Sequence, residues 1–263
     1  MTAGRDVSDA MPTAQFLASG RRLCIGRCIR DRGGRERKCE KEVSLVKLVH
    51  ITTVPITLGF LRGQAGFMRR FSITTEAITS PGEGIAEFVK AESVRVHELP
   101  MTRVISPARD LISLIRLIRL LRALRPDIVH VHTPKAGLLG AIASRIAGVA
   151  AIVYEVHGLP MVTSSGARRR LLLWSDTLAC ALADRVLCVG KAVRHEAIAK
   201  GICGPDKAKV LLGGSANGVD AMGRFDPSKL AAGTRAEVRG ACGIPTEAFV
   251  IGYVGRVVGD KGI

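Results

Sequence analysis

The chain has 263 residues, of which 47% are hydrophobic and 24% charged, enough for one large or two small globular domains. Its formal charge of +16 predicts an anionic partner, such as a phosphorylated substrate, an anionic membrane surface or a nucleic acid. Aromatic residues make up only 4%, which argues against a nucleic-acid binder because single strands are bound by stacking on aromatic side chains. Seven cysteines, an odd number without zinc-type spacing, indicate a reduced setting and no metal site.

Residues 1–44 differ from the rest of the chain. They are rich in Arg and Gly and show neither helical nor strand periodicity, which predicts a disordered basic tail, with an anion-binding arm as the alternative. The first thirty residues contain no continuous apolar segment typical of a secretory signal. No apolar run reaches the ~18 uncharged residues typical of a transmembrane helix. We therefore expect a cytoplasmic protein, soluble or peripheral at the inner face of the cell membrane.

From Leu45 onward, strand-like and helix-like segments alternate, and this predicts an α/β fold with a doubly wound, mostly parallel sheet. The predicted strands are Leu45–Thr53, Ser72–Thr79, Val94–Leu99, Asp127–Val131, Ala150–Tyr154, Arg185–Val189 and Lys209–Leu212. The predicted helices are Gly59–Arg70, Ile85–Ala91, Pro107–Leu124, Ala136–Ala147, Ala167–Ala183 and Lys191–Lys200.

The pattern changes near Asp220, where the sequence becomes polar and rich in turn residues. A helix-like stretch, Pro227–Ala241, then precedes an apolar strand, Phe249–Val254. We interpret residues 45–220 as one complete domain and residues 221–263 as the start of a second. The last strand is expected to have no sheet to join within this sequence.

The stretch Pro126–Pro160 reads as strand, loop, helix and strand, and ligands of such units bind at the carboxyl ends of the strands. Polar side chains gather at those ends: His130, His132, Thr133, Lys135 and His157. The first two histidines alternate with valines, so both should lie on one face of their strand. His157 is compatible with a structural, hydrogen-bonded role as well as a functional one. His50, in the first strand, is a weaker candidate.

The helix Pro107–Leu124 has a strong start signal, with Ser106 at the cap position and proline at the first helical position. Arginines punctuate its nearly continuous Leu and Ile residues. The pattern favours a helix that packs on the sheet and has a solvated basic side. Contact with an anionic membrane surface is the second interpretation, and the two are compatible.

The terminal segment Gly255–Gly262 follows the last apolar strand directly. Arg256 and Lys261 lie five residues apart on this glycine-flanked loop, where both can converge on a diphosphate. The arginine offers two parallel N–H donors, and the lysine offers a single point charge. The glycine spacing matches neither a Walker A loop nor a dinucleotide fingerprint.

Five ordered segments give the chain a family resemblance from about Val46 to its last residue. They are TTVPITLGFLRGQ, PDIVHVHTPKAGLLG, VHGLP, SANGVD and GRVVGDKG. Together they resemble the group 1, family 4 glycosyltransferases, particularly the branch that extends lipid-linked or capsular saccharides. The resemblance implies the amino-terminal half of a GT-B fold, with a Rossmann-like domain on the acceptor side and an incomplete second Rossmann-like domain that binds the nucleotide sugar.

The resemblance also implies roles for individual residues. His157 matches the histidine that approaches the reacting sugar, and Arg256 and Lys261 match the pair that neutralises the donor diphosphate. Backbone around Gly59, Gly63 and Gly255 would lie near the same phosphates. On the acceptor side, the candidates are His130, His132, Thr133 and Lys135. Transfer in the family retains anomeric configuration and needs no metal or other cofactor.

The chain departs from the family because it stops just after the donor-phosphate loop and lacks the paired glutamates that hold the nucleotide and the sugar. We therefore expect little or no transfer by residues 1–263 alone. Two other functions remain open, a sugar-nucleotide epimerase of the same fold and a basic nucleic-acid-binding protein. The TPKAG loop and the GRVVGDKG ending favour the transferase.

Overall fold

A fully parallel sheet forms the centre of the protein. The structure is a computed structural model that describes residues 45–102, 104–255 and 257. Within these residues the sheet has seven strands in the order β3-β2-β1-β4-β5-β6-β7. The strands are β1 Val46–Ile51, β2 Ile73–Thr79, β3 Arg95–Glu98, β4 Ile128–His132, β5 Ala151–Val156, β6 Arg185–Cys188 and β7 Ala208–Lys209.

Helices connect the strands, as the alternating pattern predicts. The α-helices are α1 Gln64–Arg69, α2 Ile85–Glu92, α3 Pro107–Leu124, α4 Pro134–Ala147, α5 Gly166–Leu182, α6 Lys191–Ala199 and α7 Thr234–Ala241. Short 3-10 helices occupy Pro55–Leu61, Pro160–Val162 and Pro227–Lys229. The predicted doubly wound parallel sheet is confirmed. A bilayer-spanning helix, which would have to be both long and strongly apolar, does not occur in the described ranges.

Two helices predicted as continuous are interrupted at glycines. The predicted helix Gly59–Arg70 divides into a 3-10 helix and α1 at Gly63, whose φ of 77° lies in the left-handed region. The predicted helix Pro227–Ala241 also divides into two, a 3-10 helix, Pro227–Lys229, and α7. Helix α7 begins directly after Gly233, whose φ is 93°. Glycine adopts this conformation without the Cβ clash that other residues meet, so the helical repeat is interrupted at each of these glycines.

The predicted strand Phe249–Val254 is wrong for this structure. These residues form no strand, and Phe249 and Ile251 are 91% and 88% exposed. Although the segment has strand-like composition, none of the strands in the described residues lies beside it to accept its backbone hydrogen bonds. The predicted strand Lys209–Leu212 is likewise shorter and earlier, Ala208–Lys209, and the chain turns at Leu212, whose φ is 50°.

The sheet reverses its strand order between β1 and β4, since β2 and β3 lie on one side of β1 and β5 to β7 lie beyond β4. The register of this central pair places His50 directly opposite His130. In doubly wound sheets, ligands bind outside the carboxyl ends of the strands at such a switch point. The topology therefore directs attention to the ends of β1, β4 and β5.

Helix α4 packs unusually close to the sheet beneath this edge. A Cβ added at Gly137 would lie 2.5 Å from Cε2 of Tyr154, and one at Gly140 would lie 2.6 Å from Cγ1 of Val131. Both distances are shorter than real Cβ contacts, so a side chain at either position would force the helix or its neighbour to move. The helix is thereby pressed onto β4 and β5, and its first turn is held next to the polar strand ends.

Candidate functional site

Four imidazoles and one carboxylate converge at the switch point. His50 comes from β1, His130 and His132 from β4, and Glu155 and His157 from the end of β5 and the residue after it. His50 Nδ1 lies 3.0 Å from His132 Nε2, and His132 Nδ1 lies 3.3 Å from His157 Nε2. The three rings therefore form a chain from the buried strand β1 to the half-buried His157.

Glu155 contacts the cluster with one oxygen. Its Oε2 lies 3.2 Å from both His130 Nε2 and His132 Nδ1. The contact with His130 lacks hydrogen-bond geometry, so His130 Nε2 is buried without a hydrogen-bond partner among the described residues, as is His50 Nε2. The cluster is thus crowded with nitrogen and oxygen atoms that are only partly paired with one another.

Burial and the contacts among these side chains together determine the charge of the cluster. Burial lowers the pKa of His50 well below the ordinary value, and the neighbouring His130 and His132 lower it further. Burial also lowers the pKa of His132 to about 3. Burial alone would raise the pKa of Glu155, but its contacts with His130 and His132 outweigh that effect and hold the pKa well below its usual range. At neutral pH the site therefore presents uncharged His50 and His132 beside an ionised carboxylate.

His157 is the half-buried end of the chain of rings. It stacks on Phe60 with ring centroids 4.9 Å apart and an interplanar angle of 23°. Burial lowers the pKa of His157 below its ordinary value. A neutral ring fixed between Phe60 and His132 is preorganised to make hydrogen bonds, with little freedom left to lose on binding.

Thr133 lies at the turn from β4 into α4 in a strained conformation. Its φ of 66° and ψ of 151° are rare for a β-branched residue. Its Oγ1 lies 2.7 Å from Thr53 Oγ1, and the same Thr53 oxygen accepts a hydrogen bond from the Ala136 backbone at 3.3 Å. These contacts hold the strained turn, and strain of this kind is concentrated at functional sites.

Lys135 does not join the histidine cluster. Its Nζ forms an ion pair with Asp110 Oδ1 at 2.7 Å and donates to the Val104 carbonyl. These partners belong to the start of α3 and the loop before it. In this structure Lys135, which was predicted to lie on the acceptor side, links α4 to α3 through these contacts.

The predicted phosphate-side glycines lie partly beside the cluster. Gly59 precedes Phe60 in the 3-10 helix and Gly63 follows three residues later, so this segment lies beside His157. The Gly63 backbone N–H already donates to Glu92 Oε1 at 2.8 Å. Gly255 lies in the exposed final segment, and Arg256 and Lys261 fall outside the described residues, as does the tail 1–44.

A later segment returns to the same turn. Asn217 donates from Nδ2 to the Arg62 carbonyl at 2.7 Å, and its Oδ1 accepts from Gln64 Nε2 at 3.2 Å. The family-like SANGVD segment therefore contacts the turn between the 3-10 helix and α1.

Three residues of the site were missed or ranked low by sequence reasoning. His50 was ranked low, and Glu155 and Phe60 were not singled out. Glu155 carried a usable signal, because a carboxylate inside the apolar strand Ala151–Val156 is expected to have a partner. His50 becomes recognisable only once β1 and β4 are known to be neighbours.

A doubly wound parallel sheet with polar groups at its switch point defines a Rossmann-like ligand-binding domain. The chain belongs to the family described as the Glycosyl transferase 4-like domain, whose model matches residues 60–214. This assignment agrees with the resemblance read from the motifs and favours the transferase over the epimerase.

Two curated relatives are similar over most of the chain. The capsular polysaccharide biosynthesis glycosyltransferase CapM of Staphylococcus aureus is 32% identical over 217 residues, which is 82% of this chain and 55% of the relative. The UDP-Gal:alpha-D-GlcNAc-diphosphoundecaprenol alpha-1,3-galactosyltransferase of Escherichia coli is 28% identical over 223 residues, 83% of this chain and 55% of the relative. The chain thus spans about half the length of these relatives.

Solved structures show the same fold at lower identity. Anabaena Alr3699/HepE in complex with UDP and glucose matches with a TM-score of 0.56 and 18% identity, over 75% of this chain and 50% of that one. A glycosyltransferase from Rickettsia africae matches with a TM-score of 0.57 and 15% identity, over 78% and 51%. The described sheet corresponds to half of these GT-B structures.

Proposed function

We propose that this chain is the acceptor-side domain of a retaining glycosyltransferase that moves a sugar from a nucleotide-sugar donor to a lipid-linked or polysaccharide acceptor in cell-surface polysaccharide biosynthesis. The observation that carries the proposal is the position of His157. It lies at the carboxyl end of β5, beside the switch point, with its ring ordered by Phe60 and His132.

In this proposal His157 contacts the donor sugar, and the fixed ring lowers the cost of orienting that sugar. Negative charge develops on the diphosphate as the glycosidic bond to it breaks. Arg256 and Lys261 are the residues proposed to stabilise that charge. The turn from Gly59 to Gly63 would approach the phosphates from the other side, because it is held beside His157 through Phe60.

A diphosphate-lipid acceptor is favoured over a free sugar by two features. The first is the relative from E. coli, which is described as acting on a diphosphoundecaprenol-linked saccharide. The second is the surface at the carboxyl end of the sheet, where α3 and α5 begin. Exposed apolar side chains occur there together with exposed arginines: Arg109, Leu111, Ile112, Ile115, Arg116, Arg168, Arg169, Arg170, Leu171 and Trp174.

Such a surface is suited to the headgroup region of an anionic membrane. Arginines contribute about 1 kcal/mol each near an anionic surface, and Trp174 is of the residue type enriched at membrane–water interfaces. This arrangement would bring the domain to the lipid that carries its acceptor, and it extends the membrane contact predicted for Pro107–Leu124 to the first turns of α5.

The proposal is tested by acceptor binding to the 263-residue chain. We expect saturable binding of a polyprenyl-diphosphate saccharide in detergent micelles, weaker binding of the same lipid diphosphate without the saccharide, and weak binding of UDP-sugars. Equal binding of the lipid with and without its saccharide would contradict an acceptor-side role. Sugar transfer from UDP-sugars is measured in parallel, and turnover by these residues alone would contradict the division of the site between two domains.

A further inference from the structure

A cationic cleft lies between α6 and β7, outside the histidine cluster. Its volume is about 430 Å³, within the range of small-ligand sites, and it is lined by Lys191, Arg194, Lys209 and Val210. Three of these four residues are basic, and none is acidic. A cleft with such a lining concentrates anions and disfavours apolar or cationic ligands.

Arg194 is held in position at this cleft by the backbone. Its Nε donates to the Ala208 carbonyl at 2.8 Å, and its Nη2 donates to the Pro205 carbonyl at 3.1 Å. Ala208 lies in β7 next to Lys209, and Pro205 lies shortly before that strand. The remaining nitrogen, Nη1, makes no hydrogen bond with any described residue. The guanidinium is therefore oriented in advance and would lose little freedom on binding an anion.

The two lysines of the cleft have no partner within the described part of the chain. Lys191 begins α6 and Lys209 ends β7, and both are exposed and form neither an ion pair nor a side-chain hydrogen bond there. Nearby lysines differ, because Lys200 pairs with Glu196 at 2.9 Å and Lys207 donates to two carbonyls at the end of α5. The charge of the cleft is thus uncompensated, and an external anion would balance it.

The cleft lies close to His157. The Val189 backbone donates to the Val156 carbonyl at 3.3 Å, directly before His157 in the chain, and Lys191 follows two residues after Val189. The cleft therefore begins one strand beyond His157 in the order β5-β6-β7. Since neighbouring strands are about 4.7–4.9 Å apart, the cations lie roughly 5–10 Å along the sheet from β5. A saccharide of one or two rings can span that separation.

The donor phosphates are proposed to lie on the opposite side of His157. The segment from Gly59 to Gly63 follows β1, whereas β6 and β7 lie beyond β5 at the other side of the sheet. The cleft therefore does not duplicate that role. An acceptor that carries a diphosphate on its saccharide would place the sugar near His157 and the diphosphate in the cleft.

We propose that Lys191, Arg194 and Lys209 bind the diphosphate of a lipid-linked acceptor. Arg194 supplies an oriented N–H donor, and the lysines supply mobile point charges that suit an anion with several negative oxygens. The identity of the acceptor rests on the proposed function, whereas diphosphate binding by the cleft does not depend on it.

Calorimetric titration of the 263-residue chain with inorganic pyrophosphate tests the cleft. We expect one saturable site for which a polyprenyl diphosphate competes and the corresponding polyprenol does not. The double variant Lys191→Gln and Lys209→Gln should weaken pyrophosphate binding by ~10–100-fold. Lys90→Gln combined with Lys229→Gln removes the same charge from exposed positions elsewhere and should leave the affinity unchanged. Because neither cleft lysine has a partner to lose, the double variant should also keep its thermal stability.

Lysine acetylation measured by mass spectrometry gives a local readout. Pyrophosphate should slow acetylation of Lys191 and Lys209 but not of Lys90. The proposal is overturned if neither cleft lysine is protected or if both double variants lose affinity equally. It is also overturned if UDP competes for the cleft as strongly as the polyprenyl diphosphate.

Failure of the proposed function has a different signature. If the cleft binds pyrophosphate as expected but the saccharide adds nothing to binding of the lipid diphosphate, the acceptor-side role fails and the diphosphate site remains. If the saccharide strengthens binding and the cleft variants change nothing, the acceptor-side role remains and the cleft assignment fails.

Discussion

The Tyr154 hydroxyl donates a 2.9 Å hydrogen bond to Asp176 Oδ1 between β5 and α5, where both side chains are 1% exposed. The second oxygen of Asp176 has no hydrogen-bond partner among the described residues. Burial raises the pKa of Asp176 to about 6, although the bond from Tyr154 acts in the opposite direction. At neutral pH the interior beneath the site therefore holds a carboxylate whose charge is poorly compensated.

Asp176→Asn is expected to stabilise the protein above pH 6. Asparagine can still accept from Tyr154, and it removes a buried charge. Because the folded-state pKa is raised from 3.8 to about 6, the stability contributed by protonated Asp176 is complete below the unfolded value and is lost as pH rises through the folded one. We expect a gain of about 1–3 kcal/mol at pH 8 that shrinks towards pH 4, measured by urea unfolding. Asp206→Asn, on the exposed surface, should show no comparable pH-dependent gain.

Gly137→Ala is expected to destabilise the fold. Its Cβ would lie 2.5 Å from the Tyr154 ring, so α4 or the ring must move, at a cost of about 1–3 kcal/mol. Gly66→Ala in α1 is the matched control, because its Cβ would meet only the flexible end of Arg69 at 3.8 Å. Alanine there should be neutral or stabilising by up to about 1 kcal/mol. Equal thermal shifts for the two variants would argue against the close packing of α4.

Lys135→Met is expected to lower stability by about 1–3 kcal/mol. It leaves the half-buried Asp110 without its 2.7 Å ion-pair partner and releases the loop before α3. A double-mutant cycle with Asp110→Asn measures the coupling between the two side chains. If Lys135 acts instead on the acceptor, acceptor binding will fall while the coupling energy stays near zero.

The double variant Arg116→Gln and Arg119→Gln is expected to weaken binding to anionic vesicles. Both arginines lie on the exposed face of α3, and losing about 1 kcal/mol for each corresponds to roughly 30-fold in affinity. Co-sedimentation with phosphatidylglycerol vesicles provides the measurement. Arg95→Gln combined with Arg235→Gln removes the same charge from exposed positions elsewhere. A loss of equal size in this control would show that net charge, not the α3 surface, governs binding.

Local sequence was sufficient to predict the bounds of a helix and the faces of a strand, because both depend on neighbouring residues. Helix α3 has the predicted bounds Pro107–Leu124, because proline fits the first helical position and the chain turns left-handed at Arg125 before Pro126. The side chains of His130 and His132 share one face of β4 because strand residues alternate. The alternation of strands and helices was sufficient to predict a parallel doubly wound sheet.

Tertiary structure decided which of these residues meet. His50 and His132 are 82 positions apart, and they touch only because β1 and β4 are neighbours at the point where the strand order reverses. The pairing of β4 with β5 brings Glu155 next to His132, whereas the ion pair of Lys135 with Asp110 leaves that lysine outside the cluster. Tertiary structure also decided that Phe249–Val254 forms no strand, because a strand exists only when a neighbouring strand accepts its hydrogen bonds. Sequence by itself determined the elements and their faces through sterics and periodicity, whereas the site arose from long-range pairing that no local pattern encodes.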